Sequence, residues 1–245
     1  MKTLVIIPSR LSATRLPGKP LLKVNGLSII SHVFKKAEKA NIGEVVVATQ
    51  DQEIVDDVKK NGGQAIMTKN SHKTGTDRIY EAFLKFDSSK IDYVMNLQGD
   101  EPLMNISDIK KLNNQMIKNN CKLGTLASKI LEKKLYEDES VVKVTTKESL
   151  TNTNFPEAVD FVRKTSDQNK KIYKHLGIYC YQRETLKEFI SYKQSSNEIK
   201  YKLEQCRALD NNIKINVALA KTSPIGVDTE EDFLAIKKIM EYKSK

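Results

Sequence analysis

The chain is poor in cysteine: Cys121, Cys180 and Cys206 are the only ones in 245 residues. An odd number at such wide separations excludes a disulfide framework and fits a reducing cytoplasm. Long apolar runs are also missing. The N-terminus offers one lysine and then Leu4-Val5-Ile6-Ile7 before Pro8, too short for a signal-peptide core. No stretch reaches the length of a membrane span, so membrane insertion is not expected. Zinc-ligand spacing, an arginine-rich tail, internal repeats and low-complexity linkers are absent. Aromatic residues make up only 7% of the chain, which leaves no platform for stacking bases. That scarcity matters because the formal charge is +10, and a basic chain invites a nucleic-acid reading. The lysines are spread over the whole length. The excess therefore reads as surface lysine with a bias toward anionic small molecules, with no nucleic-acid partner.

With 39% hydrophobic and 29% charged residues, the composition is that of a soluble globular protein, and the length suits a single domain, 1–245. Short β-branched runs alternate with helical periodicity. Leu4–Ile7, Glu44–Thr49, Ala65–Met67 and Asp92–Leu97 read as strands, each followed by an apolar face at helical spacing, such as Ile29, Ile30, Val33, Phe34, Ala37 and Ala40 behind a capping Ser28. Asp51 is placed to cap the helix that ends near Gly62-Gly63. This alternation predicts an α/β fold with a doubly wound, mostly parallel sheet, which binds ligands beyond the carboxyl ends of its strands. The later half is less regular. Strands are expected at Leu123–Ile130, Val141–Thr146, Leu176–Tyr181 and Ile213–Leu219, with a polar stretch from Lys147 to Lys174 and helices at Glu184–Tyr192 and Glu198–Arg207. A smaller inserted lobe around 130–192 is the candidate for subunit contact.

One segment organises the rest. Ile6–Leu21, IIPSRLSATRLPGKPL, leaves a strand and becomes a loop, because Pro8, Pro17, Gly18 and Pro20 oppose regular structure. Arg10, Arg15 and Lys19 lie in it with no carboxylate between Ser9 and Pro20. Two readings fit: an anion site suited to a polyphosphate, or a solvated basic loop. It is not a Walker loop, since the glycine spacing and the Lys-Ser/Thr pair are missing. Asp100, after a strand and before Pro102, offers a carboxylate to a hard divalent cation, and Asp228 is its candidate partner because Thr229 can do the helix capping. Cations and paired acids are the parts that nucleotidyl transfer requires.

The loop resembles the signature of sugar nucleotidyltransferases that activate acidic sugars, above all the 3-deoxy-manno-octulosonate (Kdo) cytidylyltransferase (CMP-Kdo synthetase) family. HKTGTDR (72–78), NLQGDEP (96–102), HLGIYCY (175–181), LEQCRAL (203–209) and GVDTEED (226–232) resemble that family's blocks in order and spacing, across nearly the whole chain. The resemblance implies a Rossmann-like nucleotidyltransferase fold and a homodimer. It also implies a Mg2+-dependent reaction of CTP with Kdo that gives CMP-Kdo and pyrophosphate for lipopolysaccharide biosynthesis. Carried over by position, Arg10, Arg15, Lys19 and Asp100 are the catalytic set. The first three also bind the nucleotide, together with Thr74, Gly75, Arg78 and Gln98. Gln98, His175, Tyr179, Glu204 and Gln205 contact the sugar, and Asp100 and Asp228 hold the metal. Without the family, His175 is a structural histidine, Tyr179 a core residue, and Glu204 and Gln205 the solvated face of a helix.

Two departures bear on specificity. The family's Ser-Arg-x-x-Ile-Pro segment is replaced near Asn154–Val159, leaving Arg163 as the nearest candidate for the arginine that meets the sugar acid. Gln50 stands where a carboxylate is usual, with Asp51 as a substitute. An amino variant of Kdo, a sialic acid, a uridylyl donor or a catalytically inactive basic relative that binds nucleic acid are the alternatives.

Overall fold

The computed structural model describes residues 1–12, 15–167 and 171–242; Ala13 and Thr14 of the opening loop, together with 168–170 and 243–245, lie outside the described residues. Backbone contacts divide the chain into two compact units. The first is Lys2–Ile109 with Pro224–Lys245, and the second is Lys110–Ser223 with Met1. The segment 130–192 lies within the second.

The first unit begins with β1 (Thr3–Ser9), a 3-10 turn at Lys19–Leu21, β2 (Lys23–Val24), β3 (Leu27–Ser28), α1 (Ile29–Ala40), β4 (Gly43–Thr49), α2 (Gln52–Lys60), β5 (Ala65–Met67), α3 (Gly75–Lys85) and β6 (Tyr93–Asn96). Four of its strands form one sheet in the order β6-β1-β4-β5 with each neighbouring pair parallel, and β2 and β3 form a separate antiparallel pair. Parallel strands joined through helices are covered on both faces, which is why Leu4, Val5, Ile6 and Ile7 have no exposure at all. The expected face of α1 is buried, and Ser28 Oγ caps the helix by accepting from Ser31 N at 3.2 Å. Asn25 and Gly26 both take positive φ, 50° and 78°, the turn that a two-residue hairpin between β2 and β3 demands.

α4 (Ile106–Asn119) carries the chain into the second unit, which continues with β7 (Leu123–Ser128), β8 (Lys143–Thr146), β9 (Ala158–Val162), β10 (Ile172–Gln182), α5 (Arg183–Ser191), α6 (Ser196–Tyr201), α7 (Gln205–Asp210) and β11 (Asn216–Leu219). Here β7 pairs in parallel with β11 and antiparallel with β10, and β8 runs antiparallel to both β10 and β9. The chain then returns to the first unit and ends in α8 (Glu230–Tyr242).

Three expectations are corrected. β9 lies inside the polar stretch; it buries Ala158 and Phe161 but exposes Val159 and Asp160, so no two-residue apolar period marks it. The helix expected over Glu198–Arg207 is two helices, because Lys202 adopts a left-handed conformation (φ 54°), and its N–H and that of Leu203 both return to Glu198 O. That break turns Leu203 into the core. Asp51 does precede α2, but its carboxylate caps nothing there and instead accepts from Leu11 N at 2.7 Å.

The break between α6 and α7 also lets Arg207 fold back on Glu198. Both are nearly inaccessible, with Arg207 Nε to Glu198 Oε2 at 2.7 Å and Nη2 to Oε1 at 2.5 Å, and the guanidinium lies over the Phe189 ring. Removing one partner of such a pair strands a buried charge. Arg207→Met is expected to lower unfolding free energy by about 3–5 kcal/mol, read from the urea midpoint, with Arg207→Lys falling between it and the parent.

Candidate active site

The basic loop is held at both ends by its own backbone. Leu11 N donates to Asp51, and Leu11 O accepts from Gly18 N at 3.0 Å. Gly18 takes φ 72°, a conformation open to glycine, and starts the turn that carries Lys19. Beneath the loop, Leu16 and Leu22 pack on Val24, Ile29, Val227 and Ile236, so the start and the last helix of the first unit share one apolar cluster.

On this floor three strand-end segments meet. Lys19 Nζ donates to Asp100 Oδ2 at 2.6 Å, to Val227 O at 2.8 Å and to Asp228 Oδ1 at 3.3 Å. Val227 N in turn donates to Asp100 O at 2.8 Å. Burial opposes the ammonium, but Asp100 and Asp228 outweigh it and hold the Lys19 pKa above its usual value. Arg15 Nη2 reaches Asp228 Oδ2 at 3.0 Å in the open, where such a bridge contributes about 0–1 kcal/mol. The Asp228 carboxylate thus meets two cations. Thr229 and Asp232 do cap α8 reciprocally, which leaves the Asp228 carboxylate to the two cations. The end of β6 can approach because residue 99 is glycine: a Cβ there would stand 2.9 Å from Pro8 O. The lysine and the acids thus lie on one site, and two carboxylates converging on one ammonium are the residues that could hold a divalent cation. Among the described residues no group of three or more His, Cys, Asp or Glu is arranged to bind a metal.

The other nucleotide candidates are placed differently. Arg10 is exposed at the end of β1. Arg78 is buried, donating through Nη1 to Thr68 Oγ1 at 2.6 Å and through Nη2 to Gln50 Oε1 at 2.7 Å. Burial lowers its pKa, with Asp51 opposing and Arg10 adding to the fall. It acts as a strut, and Gln50, where a carboxylate was expected, is its acceptor. Thr74 caps α3 by accepting from Asp77 N, and Gly75 is that helix's first residue. Gln98 follows β6 and donates to Asn96 Oδ1 at 3.0 Å.

The sugar candidates of the second unit form their own cluster. His175 Nε2 lies 3.0 Å from Thr125 Oγ1, and its ring stands edge-on to Phe161 and 5.3 Å from Tyr179. Burial drives its pKa down to about 3, so the ring is neutral. Tyr179 is 8% exposed, and its hydroxyl meets no hydrogen-bonding partner among the described residues. Burial, then Tyr181 and Glu204, push its pKa well up. A polar atom buried without a partner costs about 1–3 kcal/mol, which a ligand hydroxyl would recover. Glu204 opens α7, and Gln205 is buried, not part of a solvated face. Reading the sequence missed Asp51 as the anchor of Leu11 and Val227 O as a ligand of Lys19. The first was masked by a plausible cap, and a backbone oxygen leaves no trace in a sequence.

A cytidylyltransferase family model matches residues 4–215. The 3-deoxy-manno-octulosonate cytidylyltransferase of Bartonella tribocorum is 38% identical over 242 residues, covering 98% of this chain and 99% of that protein. Its counterpart in Nitrobacter winogradskyi is 39% identical over 241 residues, covering 98% and 94%. Among solved structures, a CMP:2-keto-3-deoxy-manno-octonic acid synthetase complexed with CTP superposes with TM-score 0.89 at 33% identity, over 99% of this chain and all of that one. A UDP-glucose pyrophosphorylase complexed with UDP-glucose, at TM-score 0.73 and 14% identity over all of both chains, shares the fold alone.

The neutral His175 gives the site a pH signature. Its pKa is lower folded than unfolded, so between about 6.5 and about 3 the unfolded chain binds the extra proton. Stability is full above that window and falls with pH at up to about 1.4 kcal/mol per unit. From pH 7 to pH 5 the parent is expected to lose about 2 kcal/mol more than His175→Gln, measured by urea unfolding at both values.

Proposed function

The chain belongs to the 3-deoxy-manno-octulosonate cytidylyltransferase family, and from that premise we propose that it transfers a cytidylyl group from CTP to the anomeric hydroxyl of Kdo. That oxygen bonds to the α-phosphorus as the α–β bridging bond breaks, giving CMP-Kdo and pyrophosphate. The observation that carries this reading is the convergence of Lys19, Asp100 and Asp228 on one point at the strand ends. Kdo is preferred over a sialic acid or a uridylyl donor because the full-length relatives bear the Kdo name. The scattered lysines and the lack of an aromatic platform speak against a nucleic-acid ligand.

Mg2+ fits this donor set. It is commonly held by one or two carboxylates plus substrate phosphates, and Asp100 and Asp228 supply the carboxylates. When bound, it would neutralise phosphate charge and favour an in-line geometry. Lys19, at present shared by the two acids, would then turn to the phosphates, where Arg10 and Arg15 supply further positive charge. In the second unit, Tyr179, His175, Glu204 and Gln205 bind the sugar's hydroxyls. A cytoplasmic protein fits the three unpaired cysteines. A homodimer formed through the second unit is proposed because Val159 and Leu131 expose apolar side chains there; sedimentation at micromolar concentration reads it directly.

Pyrophosphate release in the presence of CTP, Kdo and Mg2+ tests the activity, with UTP, a sialic acid and 8-amino-Kdo as competitors. Asp100→Asn is expected to cut turnover about 100-fold or more while the folded circular dichroism spectrum is kept. Full activity in that variant rejects the metal assignment. Lys19→Met leaves two carboxylates facing each other, so its melting temperature is expected to fall and to recover with millimolar Mg2+, whereas the parent barely responds.

A further inference from the structure

We infer that Arg163 is a positioning residue: it sets the backbone elbow between α6 and α7 that presents Glu204 and Gln205, and it does not bind the sugar's acid group. Each nitrogen of its guanidinium meets a main-chain carbonyl. Nε donates to Tyr201 O at 2.9 Å, Nη2 to Lys202 O at 3.1 Å and Nη1 to Glu139 O at 3.1 Å. Tyr201 ends α6 and Lys202 is its left-handed cap, so these are terminal carbonyls without helical partners, and a cation there also meets the negative end of the helix. Leu203 then turns into the core, and Glu204 and Gln205 follow at once.

The arginine is itself fixed from behind. Its own carbonyl accepts from Lys143 Nζ at 2.5 Å, and the same ammonium takes Asp138 O at 2.6 Å and Val141 O at 2.8 Å. Lys143 is wholly buried, with carbonyls for its hydrogen-bonding partners. The sequence Lys143, Arg163, elbow, Glu204 therefore connects β8 to the carboxylate whose charge acts on the Tyr179 phenol. A lysine at 163 could follow one carbonyl but not the forked set, since only guanidinium holds several acceptors in a fixed plane.

The inference rests on the sugar reading of Tyr179 and Glu204, and the experiment separates the two. Kd for CTP, and KM and kcat with Kdo, are measured for Arg163→Met, Arg163→Lys, Tyr179→Phe and Glu204→Gln, each also with a Kdo analogue whose carboxylate is replaced by a carboxamide. Positioning predicts that Arg163→Met raises the KM for Kdo about ten- to hundredfold, leaves the CTP Kd unchanged, and raises the KM for the analogue by the same factor. Arg163→Lys, which keeps the charge and so serves if Arg163→Met does not fold, is expected to be intermediate for both sugars. An effect that vanishes with the analogue identifies an acid-binding arginine and overturns the inference. So does equal weakening of CTP and Kdo, or no effect of either Arg163 variant while Tyr179→Phe and Glu204→Gln raise the KM. If Tyr179→Phe and Glu204→Gln leave the KM for Kdo unchanged, the sugar reading fails, whatever Arg163 does.

Discussion

A single ammonium, that of Lys19, lies within hydrogen-bonding distance of two carboxylates and a carbonyl drawn from two distant parts of the sequence. Much of the first unit can be read as support for that meeting. The fully buried β1 fixes where the loop begins, Gly99 lets the end of β6 close in, and the Leu16, Leu22, Val227 and Ile236 cluster brings the last segment under the loop. The lysine's burial is tolerable because its partners are charged, and the exposed Arg15 contributes far less than its formal charge suggests.

The two units use charge in different ways. In the first, cations and acids remain partly open to water, as they must if a triphosphate is to exchange for them. In the second, the charged groups are turned into framework: Arg207 is locked to Glu198, Lys143 is surrounded by carbonyls, and Arg163 holds a helix end. Counting basic residues therefore says little about anion binding here, because some of the most buried cations neutralise backbone dipoles.

Much of this was legible in the sequence, for reasons that are local. The parallel strands have unbroken β-branched runs, α1 has its periodicity and its serine cap, and the Asn-Gly turn has a single good solution. Lys19, Asp100 and Asp228 were also legible, since proline, glycine and the ends of apolar runs mark loops at strand ends. What stayed hidden depends on the third dimension. β9 carries an irregular pattern of burial; the α6–α7 break falls at Lys202, where no glycine or proline marks it; and the acceptors of Arg78, Gln50 and Thr68, lie outside its own helix. Asp51 shows the commonest trap, a residue in cap position whose carboxylate serves another strand's loop.

The order of the three Lys19 partners along the chain has a consequence for biosynthesis. A polypeptide made from its N-terminal end presents the basic loop before Asp100, and Asp228 later still. Until Asp228 and α8 have been made, the loop lacks one of its acids and part of the apolar floor it rests on, so its folded form cannot be reached through local contacts alone.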